Sequence, residues 1–314
     1  MKTRHLILLI SLTGSLCLSS CDDSNRTLQH RAAELCNYIP DHELLPAAKD
    51  YMTADFYAAL DTMFNLDEWE PLAHEWLYYF VTGNGGSMAD FEVKEVHKTD
   101  ATHALATILV RQMWEDGSFD PETDIEEHLL YMEKQDGSWL MSDFDGRKQD
   151  CLNYIANYRR EEAVRETVNR YLKDNIAVHY YLQGDLSVPV TIIVTVEEDD
   201  SLHTRVYGDY WVFNYRIAGD TLKTVSGGSH PGCFLLSAEN GELSINGFEQ
   251  VADGARFTSS AKRIFGRHYD IFMNINSNEN VREAVRQDQL RIYIRRNNLS
   301  VRYYQDYGRP AVEL

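Results

Sequence analysis

Apolar residues recur at three- and four-residue steps between Leu44 and Leu66. Leu45, Ala48, Met52, Phe56, Ala59, Leu60 and Met63 fall in register, and this spacing predicts one amphipathic helix. Asp67 is placed to cap a second helix carrying Trp69, Leu72, Ala73, Trp76 and Phe80, stopped by Gly83-Asn84-Gly85-Gly86. The period then shortens to two. Phe91-Val93-Val96, Ala104-Ala106-Ile108-Val110, His128-Leu130-Met132 and Trp139-Met141 alternate as strands do, with Asp136-Gly137 as a hairpin turn. Residues 116–125, rich in Asp, Gly and Pro, read as a loop, and Lys148 to Tyr158 returns to helix through Leu152 and Ile155.

A second run of the same kind starts near Arg160. Glu161 to Lys173 reads as a helix with Ala163, Val164, Val168, Tyr171 and Leu172 on one face. Val188 to Val196, Thr204 to Ile217, Thr221 to Val225, Gly232 to Leu236 and Leu243 to Phe248 follow as strands. Ala218-Gly219-Asp220, Ser226 to Pro231 and Glu239-Asn240-Gly241 are the expected turns. Val281, Ala284, Val285, Gln289, Leu290, Tyr293 and Ile294 predict a C-terminal helix. Helices grouped before antiparallel strands, twice over, argue for two α+β domains, 43–159 and 160–314, the second with an extra C-terminal helix.

The N-terminus has a different character. Lys2 and Arg4 precede an apolar run, Leu6 to Leu12, and the segment ends on small residues before Cys21-Asp22-Asp23. The apolar stretch is too short to span a bilayer comfortably, and the layout is that of a cleavable export signal. Leu18-Ser19-Ser20-Cys21 resembles a bacterial lipobox. The resemblance implies cleavage after residue 20 and acylation of Cys21; residues 21–42 read as a tether followed by a short helix ending near Pro40. Two or three acyl chains are enough for stable anchoring to a membrane. The expected location is the bacterial cell envelope, lipid-anchored and facing the periplasm or the outer surface.

The chain has 314 residues, 44% of them apolar and 25% charged, which suits globular domains and excludes wholesale disorder. Acids outnumber bases 49 to 30, and a net charge of −19 argues against nucleic acid as a partner. Removing residues 1–20 takes away Lys2 and Arg4 and no acid, so attachment to anionic lipid rests on the acyl anchor. Cys36, Cys151 and Cys233 remain after processing. They read either as buried thiols or as one disulfide plus one free thiol, with Cys36–Cys151 the candidate pair. No metal or cofactor motif is complete: His74-Glu75-Trp76-Leu77-Tyr78 has Tyr78 where a zinc-protease helix needs its second histidine.

The most distinctive stretch is Tyr207 to Tyr215, which puts Tyr207, Asp209, Trp211, Phe213 and Tyr215 on one strand face and Gly208, Tyr210, Val212 and Asn214 on the other. Aromatics on both faces fit a sheet covered on both sides or one lining a cavity. Trp211, Tyr215 and His230 are the candidate binding residues. Ser226-Gly227-Gly228-Ser229-His230-Pro231 reads as a turn whose glycines take positive φ, with an anion cup as the sharper reading. Ser229 and His230 are adjacent in the chain and point apart, so they form no nucleophile pair, and Pro231 stands where a nucleophile elbow needs glycine. His230 as a general base served by Asp209 across the sheet is the catalytic alternative. Glu197-Glu198-Asp199-Asp200 reads as a solvated hairpin end. Arg286, Arg291, Arg295, Arg296 and Arg302 form a basic island, either a solvated face paired with acids or a docking surface for an acidic partner or polysaccharide.

The order of elements resembles the nuclear-transport-factor-2-like (NTF2-like) fold, a cone of curved antiparallel sheet closed by N-terminal helices. Phe56-Tyr57-Ala58-Ala59-Leu60 and Ser138-Trp139-Leu140-Met141-Ser142-Asp143-Phe144 also make the first unit resemble an uncharacterised domain of secreted and lipid-anchored bacterial proteins. That fold hosts enzymes, carriers and adaptors alike, so the resemblance implies architecture and not activity. With no complete catalytic constellation, the expectation is a binding or protein-interaction module. The alternative is a hydrolase or isomerase that uses a cone pocket, with Asp209 and His230 as acid and base.

Overall fold

The structure is a computed structural model. It describes residues 15–37, 45–66, 87–113, 117–118, 120, 125–198, 203–239 and 242–314. The apolar run Leu6 to Leu12, the expected helix Asp67 to Phe80 with its Gly83–Gly86 stop, and His74-Glu75 lie outside the described residues. So do Asp199-Asp200, Asn240-Gly241 and most of loop 116–125. The chain is mixed α+β with two sheets, and it divides into two compact units, 1–158 and 159–314.

In the first unit, helix α1 (Ser15–Cys36) runs unbroken through Cys21. The expected tether is instead helix, because Leu28, Ala32, Leu35 and Cys36 recur on one face and are buried in the core. Arg31 fixes this helix by donating from Nε to the carbonyl of Trp139 at 2.9 Å. The helix expected over Leu44 to Leu66 is interrupted. A short piece, α2 (Leu45–Ala48), is followed by a 3₁₀ turn (Lys49–Tyr51), and only then does α3 (Ala54–Phe64) begin. The interruption comes from Met52 and Thr53, which turn extended. Met52 forms a parallel bridge with Met141, and the Thr53 N–H donates to the Met141 carbonyl at 2.8 Å.

Strands β1 (Ser87–Lys98), β2 (His103–Met113), β3 (Ile125–Gln135) and β4 (Ser138–Phe144) form an antiparallel meander in chain order. Asp136 and Gly137 both take positive φ, 49° and 86°, as a two-residue hairpin between twisted strands requires. The inward alternation of Ala104, Ala106, Ile108, Val110, Leu130 and Met132 is buried against α1 and α3. Cys36 and Cys151 are free thiols within this core, and burial pushes both up to about 12.

Helix α4 (Arg147–Tyr171) joins what the sequence suggested were two helices. Its 25 residues contain neither Gly nor Pro, so nothing stops it at residue 159. Cys151 and Ile155 belong to the first core, and Val164 and Val168 to the second. It ends in a π turn, Leu172–Ile176, and a 3₁₀ turn, Ala177–His179.

The spine of the second unit is β6 (His203–Ala218), with β5 (Leu186–Glu198) along one side. Two strands share its other side. β7 (Thr221–Ser229) pairs with Trp211–Ala218, and β8 (Gly232–Glu239) pairs with His203–Gly208. The return arm is therefore one long strand broken at His230-Pro231, where proline has no N–H for the ladder. Strand β9 (Glu242–Gln250) continues beside β8. Contrary to the all-antiparallel expectation, β10 (Tyr303–Gln305) joins β7 in parallel and carries β11 (Val312–Glu313) on its far side. The C-terminal region holds three helices rather than one: α5 (Phe257–Phe265), α6 (Tyr269–Asn276) and α7 (Glu279–Arg296).

Both faces of β6 are covered. Val206, Tyr210 and Val212 pack on Val164, Val168 and Leu172, with Phe234 and Phe248 stacked beside them at 4.0 Å. On the other face Tyr207 packs against Phe265 and Phe272, and Tyr215 against Leu290 and Tyr304. Gly227 and Gly228 are not turn residues: they lie within β7 opposite Phe213 and Val212. Glycine is needed there for close approach. A Cβ on Gly227 would meet the Phe213 ring at 2.8 Å, and one on Gly228 would run into the Tyr180 hydroxyl.

Candidate functional site

The candidate polar residues on and beside the aromatic strand lie on two opposite faces of the sheet. Asp209 is fully buried on the face covered by α5, α6 and α7. It accepts from Asn276 Nδ2 at 3.3 Å and, at 3.5 Å, from Ser229 Oγ. Burial raises its carboxyl above the ordinary range, and Trp211, Asn276, the Arg282 charge and Ser229 only partly oppose the rise. His230 lies on the face packed by α4. Its Nε2 is 2.7 Å from the Tyr180 hydroxyl and its Nδ1 is 3.1 Å from Gln250 Nε2, and burial lowers its basicity. Among the described residues no hydrogen bond joins Asp209 to His230, so the acid–base pair considered from sequence is not assembled.

Trp211 is half-buried and Tyr215 fully buried, both beneath α7. The Arg282 guanidinium sits 4.5 Å over the Trp211 ring. Tyr215 is buried and accepts from Arg286 Nε at 2.8 Å. Arg286 is the centre of a closed network. Its Nη1 and Nη2 donate to the two carboxylate oxygens of Asp306 at 2.8 and 2.7 Å, Nη2 also donates to Thr224 Oγ1 at 2.8 Å, and the Phe213 ring lies 3.9 Å from the guanidinium carbon. The hydrogen bonds from Arg286 hold the Asp306 carboxyl below its usual range, against the opposing effect of burial.

That burial removes Arg286 from the basic island. Arg291 pairs with Asp288 at 3.0 Å, and Arg296 pairs with Glu166 at 3.1 Å and Glu162 at 3.8 Å. The island is a row of satisfied cations in these positions. Glu197 receives Arg267 and His268, which lower its carboxyl to about 2. Among the described residues no group of three or more His, Cys, Asp or Glu side chains is arranged to hold a metal ion.

The concave geometry lies elsewhere in the second unit. Two adjoining cavities, about 350 and 260 Å³, run between the C-terminal end of α4, the start of β5 and the end of α7. Lys173, Asp174, Ser187 and Tyr293 line both. Val188, Pro189 and Ile292 give the larger cavity an apolar floor, and Asn169, Gln289 and Asn297 give it carboxamides. Arg170 and Lys173 are exposed at its mouth, and no ion pair reaches either among the described residues. The loop after α4 rims the smaller cavity. Val178 lines it, and Tyr181 and Leu182 follow with relative exposures of 98% and 55%. The larger volume is within the range of small-molecule sites. Sequence reasoning flagged Arg296 and missed the rest. The signal was a basic pair, Arg170 and Lys173, one helical turn apart, just before the apolar run Val178-His179-Tyr180-Tyr181-Leu182.

No family model matches the chain, and no curated protein matches it. Among solved structures it is similar to one described as an "Ntf2 like protein involved in plasmid conjugation". The identity is 10% over 67% of this chain and 89% of that chain, and the TM-score is 0.19. A likeness at that level carries no argument about activity.

Proposed function

We propose that the protein is an envelope-anchored bacterial lipoprotein that works as a binding or protein-interaction module, built on two NTF2-like α+β domains, with the groove of the second unit as its contact surface. The lipid anchor rests on Lys2, Arg4, the apolar run to Leu12 and the lipobox-like Leu18-Ser19-Ser20-Cys21. The NTF2-like reading rests on the four-strand meander of the first unit and on the long β5–β6 hairpin of the second with its broken return arm.

One observation carries the binding reading. The sheet face that a cone would leave open is filled by Val164, Val168, Leu172, Tyr210 and Phe234, whereas the groove beside it is open, bordered by the loop that carries the exposed Tyr181 and Leu182 and flanked by two cations with no ion pair among the described residues. Exposed apolar side chains beside uncommitted charge suit contact with a partner. The enzymatic alternative needs Asp209 and His230 together, and their partners lie on opposite faces of the sheet.

The anchor has a geometric consequence. From Cys21 to Leu28, a residue of α1 buried in the core, is about 10 Å of helix at 1.5 Å per residue. Acylation of Cys21 therefore holds the first unit close to the lipid headgroups. The test of the binding reading is a photoreactive residue placed at Tyr181 in living cells. A discrete adduct that disappears in an Arg170→Glu/Lys173→Glu variant supports it. No adduct, or one indifferent to the charge reversal, rejects it.

A further inference from the structure

The uncommitted groups of the groove are mostly donors. Asn169 already accepts from Thr191 Oγ1 at 2.7 Å, which leaves its amide N–H groups for a ligand. Arg170 and Lys173 have no ion-pair partner among the described residues, and the Gln289 side chain has no hydrogen-bond partner there. The acceptors are fewer. Asn297 donates its amide to the Tyr293 carbonyl at 2.8 Å and keeps Oδ1 free. Asp185 is occupied by the Ile217 N–H at 2.8 Å, and Asp174 remains as an exposed carboxylate. A ligand matching this set brings acceptors and negative charge.

The lining also separates by chemistry. Tyr293, with Val188, Pro189 and Ile292, gives the lining apolar and aromatic surface, and three carboxamides line the same cavity. A sugar ring presents the complement: C–H groups on its faces and hydroxyls at its edge. The concavity has small-molecule dimensions, unlike the broad contact of two folded proteins. We propose that this groove binds an acidic saccharide of the uronic-acid class. Its carboxylates meet Arg170 and Lys173, its hydroxyls meet Asn169, Gln289 and Asn297, and a ring face lies on Tyr293. This names the ligand class of the site assigned above and rests on that assignment.

The test is calorimetric titration of the full-length protein with short oligogalacturonate, oligomannuronate and oligoglucuronate, and with the methyl ester of each. The ester keeps the sugar and removes the charge. The expected result is binding of at least one acid form, weakened about tenfold or more in its ester. A comparable loss is expected in Arg170→Glu/Lys173→Glu, with an unchanged unfolding temperature, because both side chains are exposed. No binding of any uronate, equal binding of acid and ester, indifference to the double variant, or tighter binding of polyglutamate overturns the proposal. An in-cell adduct at Tyr181 that still depends on Arg170 and Lys173 then leaves the binding module standing with a different ligand. Failure of both removes the groove as the contact surface.

Discussion

Asp306→Ala tests the energetics of the second unit at its most exacting point. The substitution leaves Arg286, with a side chain only 3% exposed, without its bidentate counter-charge and with only the longer 3.6 Å pair to Glu283. Removing one partner of a buried ion pair costs about 3–5 kcal/mol. Asp306 itself is 40% exposed, so water reaches part of the vacated space and the lower end, about 3 kcal/mol, is the expected loss. At about 2–4 °C per kcal/mol for a unit of this size, unfolding of the second unit moves down by roughly 6–12 °C. The assay is thermal and urea unfolding followed by circular dichroism, with Arg286→Met/Asp306→Leu alongside. The double variant removes both charges and loses less than Asp306→Ala alone, because the buried guanidinium is gone and the carboxylate it leaves, Glu283, is 34% exposed. The pH dependence has a definite sign. The folded Asp306 carboxyl lies below its unfolded value of about 3.9, so its contribution is complete above that value and is lost as pH falls through the folded value. The gap between wild type and Asp306→Ala therefore closes in acid. A loss under about 0.5 kcal/mol at neutral pH, or a double variant as costly as the two single changes summed, refutes the reasoning.

Three further outcomes follow from other parts of the chain. In the first unit His128, 4% exposed, holds Asp145 at 2.6 Å while the Leu129 N–H donates to the same carboxylate at 2.6 Å. Burial raises that carboxyl, but these bonds bring it below its usual range, so Asp145→Ala lowers stability by about 1–3 kcal/mol at neutral pH and by less in acid, read from urea midpoints. Gly228→Ala costs about 1–3 kcal/mol through its collision with the Tyr180 hydroxyl. Tyr180→Phe recovers part of that loss in the thermal midpoint; if it recovers nothing, the glycine is not there for close approach. Cys21→Ser moves the protein from the membrane fraction to the soluble one on ultracentrifugation, and an unchanged distribution removes the acyl anchor.

Most elements were legible because their periodicity is local. The alternation in β2, the Asp136-Gly137 turn and the two-faced aromatic pattern of β6 are visible in the sequence and stand in the structure. What local pattern missed depends on distant partners. The break at Met52 exists because β4 receives it, and the extension of β7 through Ser226 to Ser229 because β6 pairs with it. Glycine and proline clustering suggested a turn there, yet the glycines serve the Phe213 ring and the Tyr180 hydroxyl. The parallel β10 was hidden for the same reason, since three residues carry no period of their own. Among the functional candidates, Asp209 and His230 share one sheet but are separated by their faces. The groove draws on two stretches far apart in sequence, 169–189 and 289–297, and only Arg296 among its residues stood out as a candidate.

Hydrogen exchange of the purified protein, with and without detergent-solubilised native envelope material, tests the central claim most directly. The account predicts slowed exchange confined to the segments around Asn169–Asp174, Gln183–Pro189 and Gln289–Asn297, and abolished by Arg170→Glu/Lys173→Glu. Protection centred instead on the strand carrying Asp209 and on the break at His230-Pro231, or no protection in these three segments, contradicts it.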